Sequence, residues 1–463
     1  MEKISNKDRS FYSTLLRVAI PVMFQQLIIV AVGLSDTLMV GRLSEEAIAA
    51  VGASNQIFLI YINTIFGFLS GVAVFSVQYW GIKDLKMLRK LMGIGYSLSI
   101  SLGVPVAAGV YIFAPSLISV FSTDASVIAM GTTYTRIVVF TYLLDGLTFV
   151  ISYNSRVIQK LKWPTIFNAV AVALNIVLNW GFIFGNLGLP ELGAKGAAVA
   201  TLISRVLEFI LTFIYIYMSK EHPLRAIPSE LKFDRNLFSR VMKTAMPVVL
   251  NEVLWVLSFT LIFAIYGRLG PAALAVVQIA MTINSAFQAI YFGLGNGCNV
   301  IVGQELGKGD KESAYRLAKK CLNITLVINV ITTGSLILLR GWIVGFYDYA
   351  EETNRMLMET LFVFALAQMP KMLAYEFICG ILRPGGDTIW SAVVDAGLNW
   401  LLQVPLALIA VSVFKWELAY CVAFVEIGDV AKTLACYYRF RTKKWMNVFT
   451  SYEAEGENNE SIS

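Results

Sequence analysis

Apolar residues in this chain come in long blocks, broken by short polar stretches. Each block runs for about twenty residues, the length at which a helix crosses about 30 Å of hydrocarbon. Twelve such spans are predicted, at roughly 15–40, 53–77, 93–113, 132–155, 165–186, 195–217, 241–265, 279–301, 318–339, 356–378, 389–410 and 416–438. The first block returns later in the chain. A constant shift of 226 residues carries Pro21 onto Pro247 and Gly41-Arg42-Leu43 onto Gly267-Arg268-Leu269. The register then holds without a gap: Phe66-Gly67 meets Phe292-Gly293, Gly71 meets Gly297, Gln78 meets Gln304, Gly81 meets Gly307 and Asp84 meets Asp310. The chain is therefore a doubled unit. Six spans per half is an even number, so both halves enter the membrane from the same side, a parallel repeat about an axis along the membrane normal.

The predicted fold is an all-α integral membrane protein with twelve transmembrane helices in two six-helix lobes. The lobes are expected at 1–218 and 241–440, joined by a linker at 219–240 and followed by a polar tail at 441–463. Lobes so related are expected to meet in a central interface that takes the substrate. Pro21 and Pro247, and likewise Pro370 and Pro405, fall in or near spans, where proline frees backbone carbonyls and permits bending. Gly67, Gly71, Gly293, Gly295 and Gly297 read as places where helices pack closely.

Composition agrees with the pattern. Hydrophobic residues make up 57% of the chain and charged residues 15%, against about 25% charged in soluble domains. The net charge of +6 comes from loop cations and is no nucleic-acid footprint. Those cations are lopsided. Lys83, Lys86, Arg89 and Lys90 follow the second span, and Lys220, Arg225, Lys232, Arg235, Arg240 and Lys243 cluster around the linker. The opposite loops hold isolated ones such as Arg42, Lys195 and Arg268. Positive loops stay inside, so both termini are expected in the cytoplasm and the protein in the inner (plasma) membrane. Trp80, Trp163, Trp342 and Trp445 stand near segment ends, where such rings favour the interface. The first 17 residues are polar and the block after them is too long for a signal core, so no cleavable signal is predicted. The last residues read as a polar, disordered end. The five cysteines have no metal or redox spacing and read as small packing residues. His222 is the only histidine, which excludes a histidine proton relay and a histidine-based metal site. No nucleophile constellation or acidic magnesium motif points to an enzyme, nothing suggests a channel filter, and a monomer is expected.

A charge inside a bilayer costs at least about 2.5–3.5 kcal/mol, so each polar residue within a span needs a reason. Asp36 lies toward the outer end of the first span. Asn175 and Asn179 are one turn apart on the fifth span and share a face. With Thr201 of the sixth span they are expected to supply neutral oxygens around the Asp36 carboxylate. Oxygen ligands of that kind suit a hard cation, so the cluster is a candidate for a transient Na⁺ or for a proton; no resident metal is expected. The alternative is a carboxylate satisfied locally at the interface. Glu252 falls near the middle of the seventh span, with Asn251 and Trp255 beside it; Trp255 offers a π face to an organic cation. Glu252 aligns with Gln26 and Asp36 with Ile262, so each half holds one acid that the other lacks. Gln26, Asn251, Trp255, Glu376 and Asp395 are candidates for the substrate cavity. Arg205 and Glu208, three residues apart, read as a structural pair. Glu426, Asp429 and Lys432 read as a satisfied cluster near the inner end of the last span, while Lys371 and Asp145 carry no assignment.

Asp36-Thr37-Leu38-Met39-Val40-Gly41-Arg42-Leu43 resembles the first-helix signature of the multidrug and toxic compound extrusion (MATE) transporters, bacterial type. Similar too are Gln78-Tyr79-Trp80-Gly81 with its echo Gln304-Glu305-Leu306-Gly307, Asn175-Ile176-Val177-Leu178-Asn179, Gly196-Ala197-Ala198-Val199-Ala200-Thr201, and Gly380-Ile381-Leu382-Arg383-Pro384-Gly385-Gly386-Asp387-Thr388. The resemblance covers nearly the whole chain. It implies the MATE/MOP-type fold and export of cationic or amphiphilic small molecules by alternating access, driven by inward H⁺ or Na⁺ with no other cofactor. Lipid molecules would surround the protein. The chain has Asn179 where some relatives carry Asp, which leaves Asp36 as the only acid of its site. Met372 stands about where one branch carries Asp, with Glu376 one turn away. A rival within the superfamily is a lipid-linked oligosaccharide flippase. That function would call for several cations lining the cavity, and only Arg136, Arg205 and Lys371 are expected within spans.

Overall fold

A computed structural model describes residues 6–346 and 350–450. Among the described residues twelve long helices follow one another: α1 Asn6–Gly41, α2 Glu45–Gly81, α3 Leu85–Ser119, α4 Ala125–Val157, α5 Lys162–Phe184, α6 Ala194–Met218, α7 Arg235–Tyr266, α8 Pro271–Gly307, α9 Lys311–Val344, α10 Glu351–Leu382, α11 Thr388–Phe414 and α12 Leu418–Arg441. No strand occurs among the described residues. This is the arrangement expected of a bilayer-spanning chain, because backbone groups in hydrocarbon must be satisfied within the segment. Eleven of the helices are long and apolar enough to span a membrane. The exception is α12, which carries Glu426, Asp429, Lys432, Arg439 and Arg441.

The repeat is visible in local structure. Asp84 caps α3 by accepting from Met87 N, and Asp310, its counterpart 226 residues on, caps α9 by accepting from Ser313 N. Such caps satisfy amide groups that the first turn cannot. The Ser313 amide holds the Asp310 carboxyl below its ordinary range.

By packing, the chain divides into two compact units. One comprises Phe24–Ser76 and Asp84–Ala245; the other comprises Met1–Met23, Val77–Lys83 and Met246–Ser463.

In the first unit, α3 packs on α4, and α6 packs on both α4 and α5. Gly71 abuts the Ala245 backbone, where a Cβ would come within 2.3 Å of Cα. The linker is folded, with Leu224 and Ala226 buried and Arg89 paired with Glu230. His222 is buried at 4% exposure, edge-on to Tyr215. Burial and the charge of Lys160 push its imidazole down to about 4.

In the second unit, α8 packs against α9 and α10, and α10 against α12. The start of α1 lies on α8, where Gly293 faces Ala19 and Met23 and Gly297 faces Leu15, with no room for a Cβ at either glycine. Within α10, Glu376–Leu382 is wound as a π-helix, as are Asn399–Gln403 and Ile409–Phe414 within α11.

The start of the expected polar tail, before the residues read as disordered, is a packed strap. Trp445 is fully buried, not interfacial, with its indole N–H donating to the Phe440 carbonyl. Gln78 Nε2 donates to the carbonyls of Pro384 (2.9 Å) and Asn447 (3.0 Å), and its Oε1 accepts from Phe449 N. Thr450 Oγ1 donates to the Gly307 carbonyl. Trp445 and Phe449 make this stretch apolar enough to bury. The remainder of the tail, 451–463, lies outside the described residues.

Candidate functional site

The first unit gathers four of the predicted residues in one place. Asp36 comes from α1, Asn175 and Asn179 from successive turns of α5, and Thr201 from α6. Asn179 Nδ2 donates to Asp36 Oδ1 at 2.6 Å. Asn175 is best oriented with its amide nitrogen 3.3 Å from Asp36 Oδ1 and its oxygen accepting from Thr201 N at 3.3 Å. Asn175 and Asn179 are buried, so these bonds run largely out of contact with water. A cavity of about 50 Å³ opens beside them, lined among others by Asp36, Asn175, Thr201, Ser204 and Arg205. That volume holds a water molecule or a small ion, not an organic substrate.

Two expectations need correcting here. The amides were expected to turn oxygens toward the site, but they present N–H groups to Asp36. A carboxylate is an acceptor when ionised, and Asn is the donor that can reach it. Nor is Asp36 a solitary charge. Arg205 lines the same cavity and bonds Glu208 at 2.6 Å, the expected pair, while also lying 3.5 Å from Asp145. Asn168 Nδ2 donates to Glu208 as well. One guanidinium thus pairs with acids on α4 and α6 and lines the cavity beside a third on α1. Asp145 belongs to α4, far from Asp36 in sequence, so only the fold could bring it here.

Gln26 is half-buried on α1, and it is the adjacent Gln25 that bonds across to Thr165 of α5, at 3.1 Å.

In the second unit, Glu252 is held by Arg383, with Nη2 to Oε1 at 2.7 Å and Arg383 only 3% exposed. The sequence alone names no cation for Glu252. Arg383 belongs to an Arg-Pro-Gly-Gly stretch that reads as a loop, but the π-helical end of α10 delivers it into the protein. Asn251 Nδ2 donates to Asp395 Oδ2 at 3.1 Å, and Lys432 Nζ bridges Asp395 (3.1 Å) and Asp429 (3.0 Å). Lys371 lies 3.5 Å from Glu426. The expected cluster on the last helix is therefore one end of a network reaching α7, α10 and α11. Trp255 is 37% exposed and stacks on Phe259. Glu376 is apart from these pairs: it is buried, and neither carboxylate oxygen has a hydrogen-bond partner among the described residues.

The sequence matches the MatE family over residues 21–181 and 247–409, two stretches whose starts are the repeat-related Pro21 and Pro247. It is 26% identical over 419 residues to the probable multidrug resistance protein YoeA of Bacillus subtilis (strain 168), covering 88% of each chain. It is 24% identical to the probable multidrug resistance protein NorM of Thermotoga maritima, covering 87% of this chain and 86% of that one. Among solved structures, the fold is similar to a MOP superfamily transporter from Pyrococcus furiosus, with a TM-score of 0.85 at 18% identity over 93% of this chain and 95% of that one. It is equally similar to an outward-facing multidrug resistance MATE family transporter, with a TM-score of 0.85 at 17% identity over 96% of this chain and all of the other. With the match spanning both repeats and more than half of its length, the chain belongs to the MatE family of membrane transporters.

Proposed function

We propose that this protein exports cationic, amphiphilic small molecules across the plasma membrane by alternating access, in exchange for an inward-moving cation that Asp36 takes up and releases. Both termini would lie in the cytoplasm, where the loop cations concentrate. The observation that carries the reading is the Asp36 site: a carboxylate bonded to Asn179 in a cavity of about 50 Å³. A space that size suits a coupling ion and leaves the organic substrate to be bound elsewhere. The relatives named for multidrug resistance support the substrate class.

The donor set favours H⁺ over Na⁺. A sodium ion needs oxygens turned toward it, whereas Asn179 turns N–H to the acid. A proton needs only a free carboxylate oxygen. Exchange follows if the protonated and ionised forms of Asp36 prefer different conformations, since a ligand shifts a balance only by its differential affinity. Trp255, with Asn251, Glu252 and Asp395 near it in sequence or by hydrogen bond, is the proposed place for the organic cation. The buried cations Arg383 and Lys432 are each occupied by carboxylates, so they offer little to a diphosphate-linked substrate.

The test is ethidium efflux in vesicles under an imposed pH gradient or Na⁺ gradient. Wild-type efflux should follow the pH gradient, and Asp36→Asn should abolish it while the protein keeps its melting temperature. Efflux at the wild-type rate by Asp36→Asn refutes the assignment, and a response to Na⁺ alone replaces the ion.

A further inference from the structure

Three side chains far apart in sequence converge inside the second unit. Cys298 of α8, Cys321 of α9 and Glu376 of α10 bring one sulfur, one sulfur and one carboxylate oxygen within 4.8 Å of one another, and all three residues are buried. Both cysteines are free thiols. The spacing that would flag a metal motif in sequence is absent because each ligand comes from a different helix.

The carboxylate is the second observation. Glu376 is 1% exposed, and its two oxygens have no hydrogen-bond partner among the described residues. Cys298 and Thr325 interact with it, and the Thr325 hydroxyl is itself buried without a hydrogen bond of ordinary geometry. An unpaired carboxyl group in hydrocarbon is costly, and the neighbouring acids of this unit are already matched by Arg383, Lys371 and Lys432. Two glycines let the backbone pack closely against this one. At Gly380 a Cβ would lie 2.9 Å from Glu376 Oε1 and 3.3 Å from Cys298 Cβ, and at Gly295 it would lie 3.6 Å from Oε2.

We propose that Cys298, Cys321 and Glu376 form a buried site for a thiophilic divalent cation of the zinc class. Zinc accepts thiolate at about 2.3 Å and carboxylate at about 2.0–2.2 Å in tetrahedral geometry. Ligand atoms already this close reach such distances by side-chain rotation. The Thr325 hydroxyl or a water completes the set. Binding releases the two thiol protons to water, since the thiolates are the ligands. The ion would tie α8, α9 and α10 together at the π-helical turn that begins at Glu376, where the regular backbone ladder is interrupted.

The test uses the full-length protein in detergent and does not depend on transport. Protein purified from zinc-supplemented cells without chelator should carry one zinc per chain by mass spectrometry. After zinc is stripped, Co²⁺ titration should give a sulfur-to-metal absorption band. Cys298→Ser and Cys321→Ser should each halve that band and weaken Co²⁺ binding at least tenfold, and Glu376→Gln should weaken it while keeping the band. Cys379→Ser, a neighbouring thiol outside the cluster, should behave as wild type. Gel filtration and melting temperature show that each variant is folded, and Glu376→Gln, the mildest, decides the matter if a serine variant is not. The proposal is overturned by wild-type protein that holds no zinc and gives no cobalt band. It is equally overturned by full binding in the Cys298→Ser variant, or by a Cys298–Cys321 disulfide in place of the ion.

Discussion

Gly81 of α2 lies against the backbone carbonyl of Gln304 of α8, and their counterparts in the repeat make the reciprocal contact, Gly307 against the carbonyl of Gln78. A Cβ on Gly81 would stand 2.2 Å from the Gln304 oxygen, and one on Gly307 would stand 1.9 Å from the Gln78 oxygen. The repeated Gln-x-x-Gly sequence is therefore a crossing of two helix ends at backbone distance, made twice. Gly81→Ala and Gly307→Ala should each destabilise by about 1–3 kcal/mol, as overpacking does. The double variant should cost less than the sum, because one displacement of the helices relieves both clashes. Thermal unfolding in detergent reads all three, and a wild-type melting temperature for either single variant contradicts the crossing.

Glu252→Gln alone should be strongly destabilising, by about 3–5 kcal/mol, because it leaves Arg383 buried and uncompensated. Glu252→Gln with Arg383→Gln should recover most of the loss. Denaturation of the single and double variants separates this pair from a carboxylate that serves substrate alone, whose neutralisation would leave stability unchanged.

Trp445→Ala should cost about 3–5 kcal/mol, the usual loss for a fully buried large aromatic. Gln78→Leu should lower the melting temperature as well, since it strips partners from Asn447 and Phe449 of the same strap. Limited proteolysis would register the release of the C-terminal segment, and unchanged cleavage in both variants would count against a packed strap.

His222 predicts a pH dependence. Its folded value, near 4, is below the ordinary value of about 6.5, so the unfolded chain binds the extra proton between those limits. Stability is therefore full above about pH 6.5 and falls as the pH drops from there toward 4. Protonation would also remove the Nδ1 acceptor that Leu224 N uses at 3.3 Å. Melting curves from pH 7 to pH 5 should show the loss in wild type and a shallower slope in His222→Phe.

How much of this was legible in sequence depended on whether the signal was local. The spans were, because eleven of them are long apolar blocks and α12 is apolar between its charges, and the offset between Pro21 and Pro247 exposed the repeat. The Asp36 site was legible in part: Asn175 and Asn179 share a face by spacing alone. The direction of their amides was not, since a periodic pattern does not say which end of an amide meets a carboxylate. Arg383 was missed because Pro384-Gly385-Gly386 reads as a turn at a membrane surface, and only the π-helical winding before it carries the guanidinium inward. The cluster of Cys298, Cys321 and Glu376 left no trace at all, as its members are joined by packing between helices and by nothing along the chain.

The charges on α12 bear on how the protein is made. Lys432 and Asp429 face Asp395 and Lys371 on helices synthesised earlier, and alone in lipid each would resist insertion. Of the twelve helices, α12 is thus the one least able to enter the bilayer unaided. Its place in the membrane therefore depends on the opposite charges that α10 and α11 present to it.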